Sequence, residues 1–596
     1  MTFLSFIPYW YMSWVLSGVI LLAVSSIFNL GNGIVYDFIH ILSFVGILFW
    51  LKRFRDNFEI PSKKLGWMLI LLFIFLLPTL IRFPLYFPLY DDLSFHIPAA
   101  AYAGSYWFDK NYMAMSFLNY LYPLPQLVYS PLINWFGMRL TLLITSGVMA
   151  IWFFSLALRF IDLKVFSGIK KYILLAVFIY IFFYPYLMTT QVSFSVDFIA
   201  LLFALEAFYQ FISIKVKDKT LSLVLFLISF FLKESTGIFL LPLTILVFFS
   251  VRKKKINWKL LTLLLGLVSF YFIRCFYETG NPLGFLYNGI FKSPIYTLSN
   301  FKDTLFGPLN NKEILLWPII GPFTERFGQG WVPHYLKIFF GLFLPIPLIL
   351  SFFVAIKEKK WQLLVIPITY YFWSYMSGYS RYLIPFTAVF WIWIVAEMKV
   401  ADFSVKNLYV KISLSAISII FLLFCLTSIQ TDYGWRPYPF ARVYGQPSGS
   451  VRYYLKTYIE GLFLIGQDRP VEMAKRYKND FKDFDIVVPF WRGQVAFYAY
   501  LGYLNGLKII DAVDNETFNT VVNSHLLSNH LKENLKQINT AKKILFVFEK
   551  NSQQYTKNTY IYKNFNCKKL ENALPTPVFQ NYYYFNETQR FSCTKR

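Results

Sequence analysis

Charge is what this sequence has least of. Asp, Glu, Lys and Arg make up 15% of its 596 residues, where soluble domains run nearer a quarter. With 57% hydrophobic residues and a mean hydropathy of +0.48, the excess apolar surface needs lipid to cover it. That excludes a soluble protein. Cysteine is scarce too: there are four, and no spacing among them matches a structural zinc site. Cys275 and Cys425 sit in apolar segments and read as small packing residues. Cys567 and Cys593 sit in a polar tail, and the sequence leaves their pairing open. The first 28 residues lack the basic start of a cleavable signal and continue into a span-length segment, so they read as a retained first span. No phosphate loop, dinucleotide fingerprint or Ser-His-Asp arrangement stands out.

What is present is a long series of apolar stretches. A span needs roughly 20 mostly apolar residues. The sequence supplies such stretches repeatedly up to about Gln430, and then stops. This predicts a polytopic α-helical membrane protein with about 13 transmembrane helices. They fall near 10–28, 34–51, 65–84, 138–158, 172–189, 193–214, 220–232, 236–250, 259–276, 336–356, 361–377, 382–398 and 411–429. Residues 1–430 form the transmembrane part, and 431–596 a soluble domain outside the cytoplasm.

Lys and Arg outnumber Asp and Glu by 57 to 32, a formal net charge of +25. Their distribution argues against nucleic acid as a partner, because they gather in the connectors between apolar segments. Every second connector is basic. Lys52, Arg53, Arg55, Lys63 and Lys64 fill one, and Arg159, Lys164, Lys170 and Lys171 the next. Lys215, Lys217 and Lys219 follow, then Arg252 to Lys255, then Lys357, Lys359 and Lys360, and then Lys399, Lys406 and Lys411. With these six inside, thirteen spans obey the positive-inside rule throughout. The loops 85–137 and 277–335 and the tail then lie outside. In the first loop, Phe95 to Tyr106 and Leu121 to Phe136 read as helices lying in the interface. Thr220 to Leu232 is too short to span upright, and Lys233-Glu234-Ser235 interrupts the apolar run, so 220–250 reads as two short helices meeting near the outer face. In the tail, 485–489, 507–511 and 543–548 read as strands, and 493–503 and 523–534 as helices, which fits a small α/β domain.

The stretch richest in chemistry is Tyr90-Asp91-Asp92-Leu93-Ser94-Phe95-His96-Ile97-Pro98, directly after a span. In helical geometry Asp92 and His96 share a face. A carboxylate there can act as a general base toward a hydroxyl, or ligate a divalent metal ion with His96, which is the one cofactor the pattern leaves open. The bland alternative is that Asp91 or Asp92 caps a helix beginning near Leu93. Asp197 likewise either lines a cavity or caps the helix it opens.

That acidic stretch, at the start of the first external loop and followed by interfacial helices, resembles the GT-C glycosyltransferases. It is similar to the acidic-aromatic-His-Leu-Pro element of bacterial family-39-like members, the relatives of protein O-mannosyltransferases and aminoarabinose transferases. Four further strings point the same way. Tyr122-Pro123-Leu124-Pro125 is similar to the family's Tyr-Pro-Pro element, and Gly280-Asn281-Pro282 to the opening of its second external loop. Lys233-Glu234-Ser235-Thr236-Gly237 looks like its Lys-x-x-Gly junction, and Ser380-Arg381-Tyr382-Leu383-Ile384-Pro385 like its Arg-Tyr-Leu-x-Pro element. The resemblance covers roughly 65–430. Many relatives carry Asp-Glu where this chain has Asp91-Asp92, which leaves the division of roles between the two carboxylates open.

The resemblance implies an inverting glycosyltransferase that uses a polyprenyl- or dolichyl-phosphate sugar donor. It would act at the outer face on a glycan, lipid or protein acceptor. Asp91 and Asp92 are then the catalytic candidates, and Arg381, Lys233 and Arg326 the donor-phosphate candidates. His96, Asp197 and His334 are acceptor or supporting candidates. The missing phosphate loop and dinucleotide fingerprint disfavour a soluble nucleotide sugar. An O-antigen polymerase or ligase, relying on Arg326 and His334, is the alternative. A lipid-linked-sugar transporter ranks third, since neither mid-span charges nor an internal repeat stands out. The Phe-, Lys- and Asn-rich composition suggests a bacterial cell membrane.

Overall fold

The computed structural model describes residues 3–28, 34–52, 65–82, 112–114, 124–191, 196–213, 218–233, 242–248, 256–283, 288–293, 307–324, 334–399, 421–423, 478–490, 507–511, 529–549, 559–570 and 588–596, with a few isolated residues between them. Most of these residues are helical. The helices used below are α1 (Phe3–Phe28), α2 (Ile34–Leu51), α3 (Leu65–Arg82), α4 (Leu124–Asp162), α5 (Lys170–Phe182), α6 (Pro185–Gln191), α7 (Asp197–Ile212) and α8 (Thr220–Leu232). They continue with α9 (Trp258–Thr279), α10 (Asn311–Ile320), α11 (His334–Gly341), α12 (Pro345–Lys357), α13 (Val365–Met376) and α14 (Ser380–Glu397).

Among the described residues, four helical stretches are long and apolar enough to cross a membrane: Ser5–Phe28, Leu140–Asp162, Trp258–Tyr277 and Ile338–Lys357. Shorter apolar helices at Val35–Leu51, Leu69–Leu80, Thr220–Leu232 and Tyr382–Glu397 accompany them. Exposed Val35, Phe38, Phe49, Ile70, Phe73, Ile273 and Phe276 on these helices are the surface that water cannot cover. The chain is thus a mostly helical protein of membrane character with a small sheet.

Helix positions follow the sequence closely, with instructive exceptions. α2 and α8 begin and end where the apolar periodicity places them. The expected helix at 172–189 is broken at 183–184, ahead of Pro185, and that at 336–356 turns at 342–344, ahead of Pro345. A proline fits the first turn of a new helix but cannot continue an old one. The interfacial segment expected at 121–136 forms the first arm of α4, beginning at Leu124. Gly137 (φ 75°, ψ 167°) separates that arm from the apolar arm behind it. The segment 95–106 lies outside the described residues.

The basic connectors meet at one end of the helix bundle. Phe58 lies 5.2 Å under the Arg159 guanidinium. Lys219 donates to the carbonyls of Gln210, Phe211 and Ser213 at 2.8, 3.0 and 2.8 Å. The Asn257 amide donates to Thr220 at 2.7 Å, and Lys170 to the Ala396 carbonyl at 3.0 Å. Ion pairs join Lys360 to Glu397 at 2.8 Å and Lys399 to Glu358 at 3.1 Å. These contacts join the described residues of the basic connectors to one another and to neighbouring helix ends.

The tail contributes five of six strands to a single sheet. They are β2 (Ile486–Pro489), β3 (Lys508–Asp511), β4 (Ile544–Glu549), β5 (Phe565–Lys569) and β6 (Thr588–Lys595). The expected strands at 485–489, 507–511 and 543–548 are β2, β3 and β4. The helix expected at 523–534 is described at Asn529–Thr540, and 493–503 lies outside the described residues. The sixth strand, β1 (Tyr112–Ala114), comes from the loop after α3 and was not expected. The order is β1-β3-β2-β4-β6-β5, with β1, β3, β2 and β4 parallel and β6 and β5 antiparallel. Cys567 and Cys593 stand opposite each other across β5 and β6 and form a disulfide, with Cα atoms 4.1 Å apart. Close cross-strand pairs of this kind bring two Cβ atoms within bonding reach.

Two glycines and the disulfide generate tests. Gly378 has φ 65°, and a Cβ there would collide with Pro308 Cδ and stand 3.0 Å from Trp317 Nε1. Gly378→Ala should cost about 2–4 kcal/mol, summing left-handed strain and overpacking. Gly147→Ala, where a Cβ meets nothing within 4 Å, serves as the neutral control. Thermal unfolding in detergent reads the difference; equal midpoints would contradict the packing at Gly378. Opening the 26-residue Cys567–Cys593 loop should cost the tail about 3 kcal/mol. Hydrogen exchange of β4–β6 with and without reductant measures that loss.

Candidate functional site

α7 is the axis of the bundle. Every residue from Asp197 to Gln210 is buried, on all faces of the helix. A helix so enclosed should carry no charge, yet it carries two carboxylates. Each needs a partner, because an isolated ion in a low-dielectric interior is far too costly.

The first is Asp197, the opening residue of α7. The N-cap position is Val196, so Asp197 is the first residue of the helix itself. Its carboxylate pairs with the Lys233 ammonium, where α8 ends in extended backbone. Asp197 has no exposed side-chain surface and Lys233 has 9%. Asp197 also sits favourably at the positive end of its helix dipole. Lys233 Nζ lies 5.4 Å from the ring of Tyr382, in the first turn of α14, and the Tyr379 and Tyr382 rings meet edge-on at 5.1 Å. This cation is held in protein rather than snorkelling to the interface.

Further hydrogen bonds fix that corner. Gln191, at the end of α6, donates to Thr79 of α3 at 2.9 Å and to the Ser146 carbonyl of α4 at 3.0 Å. The turn before α14 is held by α10: Trp317 Nε1 donates to the Gly378 carbonyl at 2.6 Å, and Ser374 Oγ to the Ile314 carbonyl at 2.6 Å. Trp373 Nε1 donates to the Tyr379 carbonyl at 2.8 Å. The segment between α9 and α11 thus braces the helix that carries Arg381 and Tyr382. At the start of that segment, Gly280 (φ 77°) caps α9 in the left-handed conformation. The buried Asn281 side chain there accepts from Leu283 N at 2.9 Å.

The second carboxylate is Glu206, and sequence reasoning missed its role. Arg159 of α4 donates to it through both terminal nitrogens, one at 2.9 Å. Trp152 Nε1 donates at 3.0 Å, Gln210 at 2.8 Å, and Arg159 also lies over Tyr209 at 4.7 Å. The signal was available, since Glu206 interrupts the run Leu205-Glu206-Ala207. Arg159 is three residues from the end of α4, so the pair sits near the basic end and not at mid-bundle.

The remaining candidates fall as follows. Arg381 is the second residue of α14 and His334 the first of α11. Asp91, Asp92, His96 and Arg326 lie outside the described residues. Asp91 follows the last residue of α3, Arg82, by nine positions. Extended chain covers at most about 30 Å over that length. Among the described residues, no group of three or more metal-ligating side chains comes together.

No protein-family model, curated protein or solved structure matches the chain.

Breaking either buried pair from one side should be severe. Glu206→Gln or Arg159→Met alone should cost about 3–5 kcal/mol, and the double Arg159→Met, Glu206→Met variant markedly less. A double-mutant cycle on thermal stability tests this. Additive losses would show that the pair does not couple α4 to α7.

Proposed function

We propose that the protein is an inverting membrane glycosyltransferase of GT-C type. It transfers a sugar from a polyprenyl- or dolichyl-phosphate donor to an acceptor outside the cytoplasm. The observation that carries this reading is the corner at the non-basic end of the bundle. There Lys233, Tyr382 and the start of the Arg381 helix converge on Asp197, beside the last turn of α3 that leads to Asp91-Asp92. Lys233, Arg381 and Tyr382, and the acidic pair, belong to three separate strings of the family resemblance.

Orientation follows the same logic. Basic connectors gathered at one end favour that end as cytoplasmic. A disulfide in the tail favours an oxidising compartment for the opposite side. Thirteen spans, with loops 85–137 and 277–335 and the tail outside, satisfy both.

In the reaction, Asp91 or Asp92 takes the proton of an acceptor hydroxyl as its oxygen attacks the anomeric carbon. The carbon–oxygen bond to the lipid phosphate breaks, with inversion, and charge builds on that phosphate. Arg381 is the cation that meets it, because Lys233 is already engaged by Asp197. Lys233 reaches a phosphate only by sharing or leaving that carboxylate.

The test compares lipid-linked and surface glycans from cells carrying the wild-type protein and the Asp91→Asn, Asp92→Asn double variant, at matched membrane levels. The variant should lose one sugar from a glycan and accumulate its polyprenyl-phosphate donor. General-base loss alone predicts a rate fall of about 10²–10⁴. An unchanged glycan profile would sink the mechanism, and a dependence on Arg326 and His334 instead would favour a polymerase or ligase.

A further inference from the structure

Helices α1 and α2 lie outside the family resemblance and carry no residue of the reaction above. With the first arm of α4 they nevertheless enclose a polar cluster. Trp14 Nε1 donates to the Val128 carbonyl at 3.0 Å, and Trp135 Nε1 to Asp37 Oδ2 at 3.0 Å. The Trp14 ring stacks on His40 at 4.0 Å and meets Trp135 edge-on at 6.0 Å. Three contacts and one turn of α2 thus link Asp37, Trp135, Trp14 and His40 in a ring. Gly18 allows the approach of the α4 arm, since a Cβ there would stand 2.9 Å from Leu124 Cδ1.

Two acceptors in this ring are unused. His40 Nε2 lies 3.3 Å from the Trp14 carbonyl, which can only accept, so Nε2 carries the proton and Nδ1 a lone pair. That Nδ1 atom is buried with no hydrogen-bond partner among the described residues, and so is Asp37 Oδ1. His40 as a whole has no exposed surface. Asp37 and His40 stand three residues apart on α2, so one helix face offers both acceptors. Buried acceptors without donors are costly, and hydrocarbon has no donor to give them. An occupant that brings two donors relieves both at once. The surroundings indicate what carries those donors: Val35, Phe38, Trp135 and Phe136, next to Asp37 in sequence or in contact, are all exposed. Apolar surface of this kind is covered by lipid.

We propose that this ring is a binding site for a lipid with a sugar headgroup, separate from the Asp197–Lys233 corner. Two acceptors on different groups, one of them uncharged, call for two separate donors, and neighbouring sugar hydroxyls supply them. Trp135 is 43% exposed, and its indole gives the apolar C–H face of a sugar ring a surface to pack on. An ammonium headgroup fits less well, because it needs aromatic faces turned toward it. Here His40 covers a face of Trp14, and Trp135 meets that ring edge-on. Trp135 is also the movable wall. By swinging out it frees both oxygens of Asp37 and opens the way past Trp14 to His40. The proposal asks nothing of Asp91, Asp92 or Arg381, so it stands apart from the transferase reading.

The experiment titrates the purified full-length protein with three lipids and counts bound lipid by native mass spectrometry. The lipids are monoglucosyl diacylglycerol, phosphatidylethanolamine and phosphatidylcholine. The wild-type protein should bind the glucosyl lipid at least about tenfold more tightly than either of the others. Asp37→Asn, which keeps the shape of the side chain, and His40→Phe, which keeps the ring stack, should each weaken that binding about tenfold. Phosphatidylcholine binding should not change in either variant, and thermal unfolding without added lipid confirms that both are folded. If His40→Phe does not fold, the wild-type comparison and Asp37→Asn still decide. A wild-type protein with no preference for the glucosyl lipid overturns the proposal. Phosphatidylethanolamine bound as tightly, and lost in Asp37→Asn, overturns the sugar headgroup in favour of a cationic one. Glucosyl-lipid binding unchanged in the folded variants overturns the site. None of these readouts depends on sugar transfer, so failure of the transferase reading would leave each of them to be judged on its own.

Discussion

Everything else in the bundle is arranged around the enclosure of α7. Its residues from Asp197 to Gln210 are shielded from both lipid and water, so its two carboxylates cannot borrow solvation. They must be met by cations from other helices, at set heights along the axis. Asp197 fixes where α8 ends, through Lys233, and Glu206 fixes the rotation of α4, through Arg159. Lys219 then closes the helix by satisfying three carbonyls near its C-terminus that have no helical partner. Shifting α7 by one turn would move each carboxylate by about 5.4 Å and unpair all of these at once. Apolar packing tolerates small slides; these contacts do not.

The charges of the bundle are compensated in two ways. At the basic end, exposed and half-exposed partners such as Lys360 with Glu397, worth little individually, accompany the buried Arg159–Glu206 pair. At the other end the pair is buried and aromatic-flanked, so its electrostatics are strong and its environment selective. Glu206 and Arg159 lie toward the basic end, and Asp197 and Lys233 pair where α7 begins.

Much of this was legible in the sequence, and the omissions have physical causes. Apolar periodicity placed α2 and α8 to the residue, because glycine or charged residues flank both apolar runs. The break after Leu232 was readable from Lys233-Glu234-Ser235 for the same reason. Partners were not readable. Asp197 and Lys233 are joined across 36 positions and Arg159 and Glu206 across 47, and periodicity assigns a face, never a neighbour. Asp197 looked like a cap because its type and position suit one, and its ammonium partner stands at the end of another helix. β2, β3 and β4 announced themselves by runs of Ile, Val, Leu and Phe. Tyr112-Met113-Ala114 carries no strand pattern at all, since its conformation is imposed by the edge of β3.

That last contrast bears on how the chain is assembled as a whole. A three-residue strand inside a helical membrane protein has no local reason to extend, so the tail must supply the template after it has folded. The first loop is synthesised hundreds of residues before β3 and can be completed only when β3 exists. The disulfide between β5 and β6 stabilises the opposite edge of the sheet and leaves the β3 edge open to receive β1. Order of synthesis and sheet edge are thus bound by one constraint: a strand from the first loop is completed by a sheet made hundreds of residues later.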